Sequence, residues 1–98
     1  MTITCPANLT LTNAQAVLRG LRAAFALVPA NEPVWLLDLS PLEHFDSSAL
    51  AVLVDCRRQA QHASKRLVIE GVPLSLVELA KVYGVTELID VNQASGAA

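Results

Sequence analysis

The sequence lacks any excess of basic residues: seven Lys and Arg stand against nine Asp and Glu, a net charge of −2. That balance leaves no electrostatic footprint for nucleic acid or for an anionic lipid surface. Charge is sparse altogether, at 16% of residues, and aromatics make up only 4%. No apolar run approaches the roughly 20 residues that span a bilayer. The opening residues, Met1-Thr2-Ile3-Thr4-Cys5-Pro6, have neither the basic stretch nor the long apolar stretch of a secretory signal. These absences predict a cytoplasmic protein without direct membrane insertion.

Cysteine is equally scarce. Cys5 and Cys56 are the only two, and in a reducing cytosol they are expected to be free, buried thiols rather than a disulfide. The sequence contains neither Gly-x-Gly-x-x-Gly nor Gly-x4-Gly-Lys-Ser/Thr, so no phosphate-cradling loop is signalled. The two histidines, His44 and His62, have no paired ligand spacing with the cysteines. No metal and no cofactor is expected. A Ser–His–Asp site assembled from His44, Asp46 and Ser47 or Ser48 is disfavoured, because such triads draw their members from separated parts of a fold. No glycine-flanked nucleophile turn is present either. The expectation is a protein that is not an enzyme.

What the chain does have is hydrophobic content: 53% over 98 residues. This is enough for one compact core and an apolar patch left for a partner. One domain is expected over residues 1–91, followed by a small, polar tail over 92–98.

Alternation of apolar runs and helical periodicity organises that domain. Thr2–Cys5 is β-prone and Pro6 breaks it. Thr12 with Gln15 reads as a capping box opening a helix, with Ala14, Val17, Leu18, Leu21, Ala24, Phe25 and Val28 at helical spacing. Pro29, Asn31 and Pro33 end it. Val34–Leu39, apolar on consecutive residues, predicts a central strand covered on both faces, with Trp35 in the core. A helix over Ala49 to about Gln61 carries Leu50, Leu53, Val54, Arg57 and Ala60 along one line, with Val52 and Cys56 widening it. Arg66–Glu70 is the next strand, stopped by Gly71. Pro73 sits in the first turn of a last helix whose apolar positions are Leu74, Val77, Leu79, Ala80 and Val82, ended by Tyr83-Gly84. Leu88–Val91 is read as a short strand or a helical turn. Strands alternating with helices predict a largely parallel α/β sheet.

The stretch from Asp38 to Leu50 is the candidate functional region. It joins the C-terminal end of the central strand, where α/β folds place recognition, to a helix start bearing two adjacent hydroxyls, Ser47 and Ser48. Asp46 or Ser47 is the expected helix cap, which leaves one hydroxyl spare. Arg57 and Arg58 read as a solvated face, His44 as an exposed loop residue and Lys81 as favourable helix-end charge.

Asp38-Leu39-Ser40 followed by Phe45-Asp46-Ser47-Ser48-Ala49-Leu50-Ala51-Val52-Leu53 resembles the signature of STAS domains. That family includes the bacterial anti-sigma-factor antagonists and the small cytosolic subunit of the Mla phospholipid ABC transporter, which serves outer-membrane lipid asymmetry. Leu67–Val72 and Leu79-Ala80-Lys81-Val82-Tyr83-Gly84-Val85 resemble the Mla branch in particular. The resemblance implies a small mixed sheet with helices mainly on one face. It implies a non-enzymatic interaction module that binds an ABC transporter ATPase subunit, peripheral to the inner membrane through that complex. The alternative it implies is an antagonist that binds an anti-sigma factor kinase.

Ser47 falls where the Mla subunit carries a hydroxyl residue important for function, and Ser48 where antagonists are phosphorylated. Asp46, Ser47, Ser48, Ala49 and Tyr83 are the partner contacts expected on these grounds. Two departures stand out. Ala49 replaces the usual Gly and is expected to crowd a partner's backbone. The N-terminal strand region is shortened, leaving an open sheet edge that a second copy is able to pair with.

Overall fold

A computed structural model describes residues 2–85 of the chain. Its elements alternate as expected: β1 (Thr2–Thr4), β2 (Asn8–Leu9), α1 (Ala14–Ala26), β3 (Val34–Asp38), β4 (His44–Phe45), α2 (Ser48–His62), β5 (Arg66–Glu70) and α3 (Leu74–Val82). The main sheet has the order β1-β3-β5. Thr2 pairs with Leu36, and Leu36 with Val68. Every strand pair among the described residues is parallel, where the resemblance implied a mixed sheet. The element expected at Leu88–Val91 and the domain boundary at residue 91 lie outside the described residues.

The register places Ile3, Leu37 and Ile69 side by side across the three strands. All three are buried, together with Trp35 and Leu39 from the same strand face. The helices cover this face: α1 packs on β1 and on α2, and α2 packs on β5. Leu76 and Ala80 of α3 enter the same core. Helices mainly on one face is therefore what the structure has. The expectation that β3 is covered on both faces is not met: burial alternates along it, with Val34, Leu36 and Asp38 only half-buried. A run of consecutive apolar residues does not distinguish a fully enclosed strand from one with a half-exposed second face.

Trp35 is core, as expected, with its ring stacked on Phe25 at 4.3 Å between centroids and 11° between planes. Its indole N–H is buried without a hydrogen-bond acceptor, so hydrophobic contact alone holds it. Cys5 and Cys56 are free and buried. Burial pushes the Cys5 thiol up to about 11 and that of Cys56 up to about 12, so neither supplies a thiolate at neutral pH.

The ends of the helices depart from expectation at two places. Thr12 and Gln15 do not form a capping box. Asn13 precedes α1 without a side-chain cap. Its Oδ1 instead accepts from the Thr10 N–H at 2.8 Å, and its Nδ2 donates to the Asn8 carbonyl at 2.9 Å. The side chain is spent on folding the preceding loop. On α3, Leu74 and Val82 are 73% and 81% exposed and Leu76 is fully buried. Pro73 sits just outside the helix, and the buried stripe runs through Leu76 and Ala80, not through Leu74.

Two short strands that the sequence did not signal hold the functional region. β2 pairs with β4, Asn8 with His44 and Leu9 with Phe45. The Ala7 carbonyl accepts from the N–H groups of both Glu43 and His44, at 2.7 and 3.0 Å. A two-residue strand has no periodicity to read. The pairing nevertheless fastens the connector after β3 to the N-terminal segment.

Candidate functional site

The Asp38-Leu39-Ser40 motif forms a closed turn at the end of β3. The Asp38 carboxylate accepts from the Ser40 backbone N–H at 2.9 Å and from the Ser40 hydroxyl at 3.0 Å. The Leu39 N–H donates to the Glu70 carbonyl at 2.8 Å, extending the β3–β5 pairing one residue further. Gly71, just past β5, has φ +68°, and a Cβ built there lies 2.8 Å from the Ser40 Cβ and backbone N. Two stretches far apart in sequence thus make a single joint, and a side chain at position 71 is excluded from it. The signature Asp and Ser of this turn are engaged with each other and hold its structure.

The connector reaches α2 through Asp46, whose carboxylate is shared between two elements. One oxygen accepts from the Ser48 N–H at 2.8 Å and caps α2. The other accepts from the Leu11 N–H at 3.0 Å and ties the loop before α1 to the same point. These backbone donors, that of Leu11 foremost and then that of Ser48, hold the Asp46 carboxyl below its ordinary 3.8. Asp46, not Ser47, is therefore the cap; Ser47 makes no side-chain cap bond. Because its folded-state pKa is depressed, Asp46 contributes stability that is fully present above the ordinary carboxylate value. That contribution is lost as pH falls through the lower folded value. Asp46→Asn is expected to lower the urea midpoint at pH 7, with the gap from wild type closing as pH drops below about 4. A gap of constant size across pH 2 to pH 7 would refute the role of the charge.

Ser47 is exposed at the mouth of this turn and Ser48 is half-buried beside it. Ser48 lines a groove of about 200 Å³ between the first turns of α1 and α2, together with Leu11, Ala14, Gln15, Leu18, Ala51 and Val52. The groove is mostly apolar, and Leu11 at its rim is 80% exposed. Apart from Ser48, these groove residues were not expected as a site. Ala14, Leu18 and Val52 have core spacing, and nothing in a periodicity separates a residue facing the sheet from one facing a neighbouring helix. A large apolar residue inside a turn, Leu11, was the available signal.

Asp46, Ser47 and Ser48 share this turn; the other two expected contacts, Ala49 and Tyr83, do not line the groove. Ala49 is fully buried, so its methyl packs inward and presents nothing to a partner. The expected crowding by Ala49 is corrected on that ground. Tyr83 is 57% exposed at the end of α3, but it does not line the groove.

His44 is exposed on β4, and the Asp46 carboxylate, held by the Leu11 and Ser48 N–H groups, also takes a hydrogen bond from the Ser48 side chain. No group of three or more His, Cys, Asp or Glu able to hold a metal exists among the described residues. No helix among them is long and apolar enough to cross a membrane. Compared with known proteins, the chain matches a family model described as Mlab, STAS domain, over residues 7–90. No curated protein matches it.

Proposed function

The chain belongs to the MlaB-type STAS domain family, and from that premise we propose that it is a non-enzymatic docking subunit of an Mla-type phospholipid ABC transporter. It binds the transporter's ATPase subunit through the turn at Ser47 and the groove beside it, and it works in the cytoplasm at the inner membrane. The observation that carries this reading is the apolar groove at the start of α2, lined by Ser48 and by the exposed Leu11. An exposed apolar rim around a preformed concavity is what a protein contact needs.

A second reading is an anti-sigma-factor antagonist switched by phosphorylation of Ser48. One observation favours it: Ser48 stands on the groove wall, so a phosphate there would alter the docking surface directly. The Asp46 carboxylate, hydrogen-bonded to the Ser48 N–H, opposes a second negative charge at that position.

Affinity capture from native lysate, followed by intact-mass measurement of the chain, separates the two. The transporter reading expects an ABC-type ATPase in the eluate and an unmodified chain. Recovery of a sigma-regulating kinase, with one phosphate on Ser48, would replace it with the second reading.

A further inference from the structure

The charges of this protein are segregated. Four of its seven basic residues, Arg19, Arg22, Arg57 and Arg58, lie on α1 and α2, against one of its nine acidic residues, Asp55. The surface of these two helices is thus cationic in a chain of net charge −2. The groove lies in the seam between the same helices. Helical spacing continues its two walls directly into that charge. Leu18 is followed one turn later by Arg22, Gln15 by Arg19, and Ala51 two turns later by Arg58, at about 5.4 Å per turn.

Arg22 and Asp55 meet across the seam. The Arg22 Nε and Nη2 donate to the two Asp55 oxygens at 3.2 and 2.9 Å, and the Gln59 amide joins the same carboxylate. This bridge joins α1 to α2 about one turn beyond the groove residues Leu18 and Val52 in sequence and consumes the one carboxylate on the two helices. Arg19 on α1 and Arg58 on α2 are both exposed. Arg58 adds a favourable charge interaction with Asp55 but no hydrogen bond to it, and Arg19 makes no ion pair among the described residues.

We infer that the occupant of this groove is an acidic amphipathic helix of the partner protein: an apolar side chain fills the groove, and carboxylates one to two turns along it pair with Arg19 and Arg58. The inference rests on the reading of the groove as a docking site and adds the chemistry of what docks. Apolar anchoring sets the affinity, and the charge pairs fix orientation and accelerate encounter. A cationic or neutral helix would bury the same apolar contact and leave two guanidinium groups without partners.

Two synthetic helical peptides with identical leucine faces test it, one with Glu and one with Lys on the flanking positions. Their binding to the full chain is followed by fluorescence anisotropy at 50 and 500 mM salt. The Glu peptide is expected to bind at least about tenfold tighter at low salt, with the advantage shrinking at high salt as screening grows. Arg19→Glu with Arg58→Glu is expected to reverse the order, with the circular dichroism spectrum unchanged. Equal binding of the two peptides, preference for the Lys peptide, or saturation by neither overturns the inference. So does binding to vesicles containing 30% phosphatidylglycerol in place of the Glu peptide, or a self-association that Arg19→Glu abolishes. Failure of the ATPase reading shows separately, in the lysate capture, and leaves the peptide result to stand on its own.

Discussion

Gly71→Ala is expected to lower the unfolding free energy by about 2–5 kcal/mol. Two costs add. A non-glycine residue at positive φ costs roughly 1–2 kcal/mol, and Gly71 sits at φ +68°. Overpacking then adds about 1–3 kcal/mol, because the new Cβ falls 2.8 Å from the backbone N of Ser40 and 2.9 Å from the Asp38 carboxylate. A backbone atom cannot rotate away as a flexible side chain can. Gly84 supplies the control. It has nearly the same φ, +69°, with nothing within 4 Å of a built Cβ, so Gly84→Ala is expected to cost only the backbone share, roughly 1–2 kcal/mol. Urea unfolding of both variants measures the difference, with the m-value unchanged if both remain two-state. Equal losses at the two positions would show that the Asp38–Ser40 turn does not press on residue 71.

Ala51→Trp is expected to abolish partner docking while leaving the fold intact. Ala51 is exposed on α2 yet lines the groove, so an indole there fills the concavity from outside without entering the core. A variant of this kind removes the central apolar anchor of an interface, where truncation or blockage costs about 2–4 kcal/mol. That corresponds to roughly 30- to 1,000-fold in Kd. Calorimetric titration against the ATPase subunit reads the loss directly, and thermal melts confirm that the domain itself is unharmed. Undiminished binding would move the docking surface away from the α1–α2 seam. The exposed apolar residues of α3, Leu74, Val82 and Tyr83, would then be the next surface to vary.

Much of the fold was legible before the structure because it depends on local signals. The helix periods that place Leu21, Phe25, Leu50, Leu53 and Cys56 inward put the same residues in the core. Gly71 and Gly84 end their elements at positive φ, as glycine after a strand or helix suggests. The paired serines and their carboxylate were picked out because Asp and Ser at a helix start carry capping chemistry whatever the surrounding fold. What remained hidden was the division of labour among them. Which of Asp46 and Ser47 caps α2 is set by where the Leu11 and Ser48 N–H groups lie, and Leu11 is 35 residues away from Asp46.

The amino-acid sequence by itself determined the order of the three helices and the main-sheet strands, the parallel α/β character and the STAS-like motif. These follow from hydrophobic period, turn chemistry and one motif, all of which act over a few residues. Only the tertiary structure decided what that motif is able to touch. It buried Ala49, left Tyr83 off the groove and engaged the Asp46 carboxylate with the Leu11 and Ser48 N–H groups. It also opened a groove from residues whose spacing reads as core. The reason is geometric: an apolar side chain on a helix has the same period whether it faces a sheet, a neighbouring helix or a partner. Only the packing of α1 beside α2 distinguishes those cases.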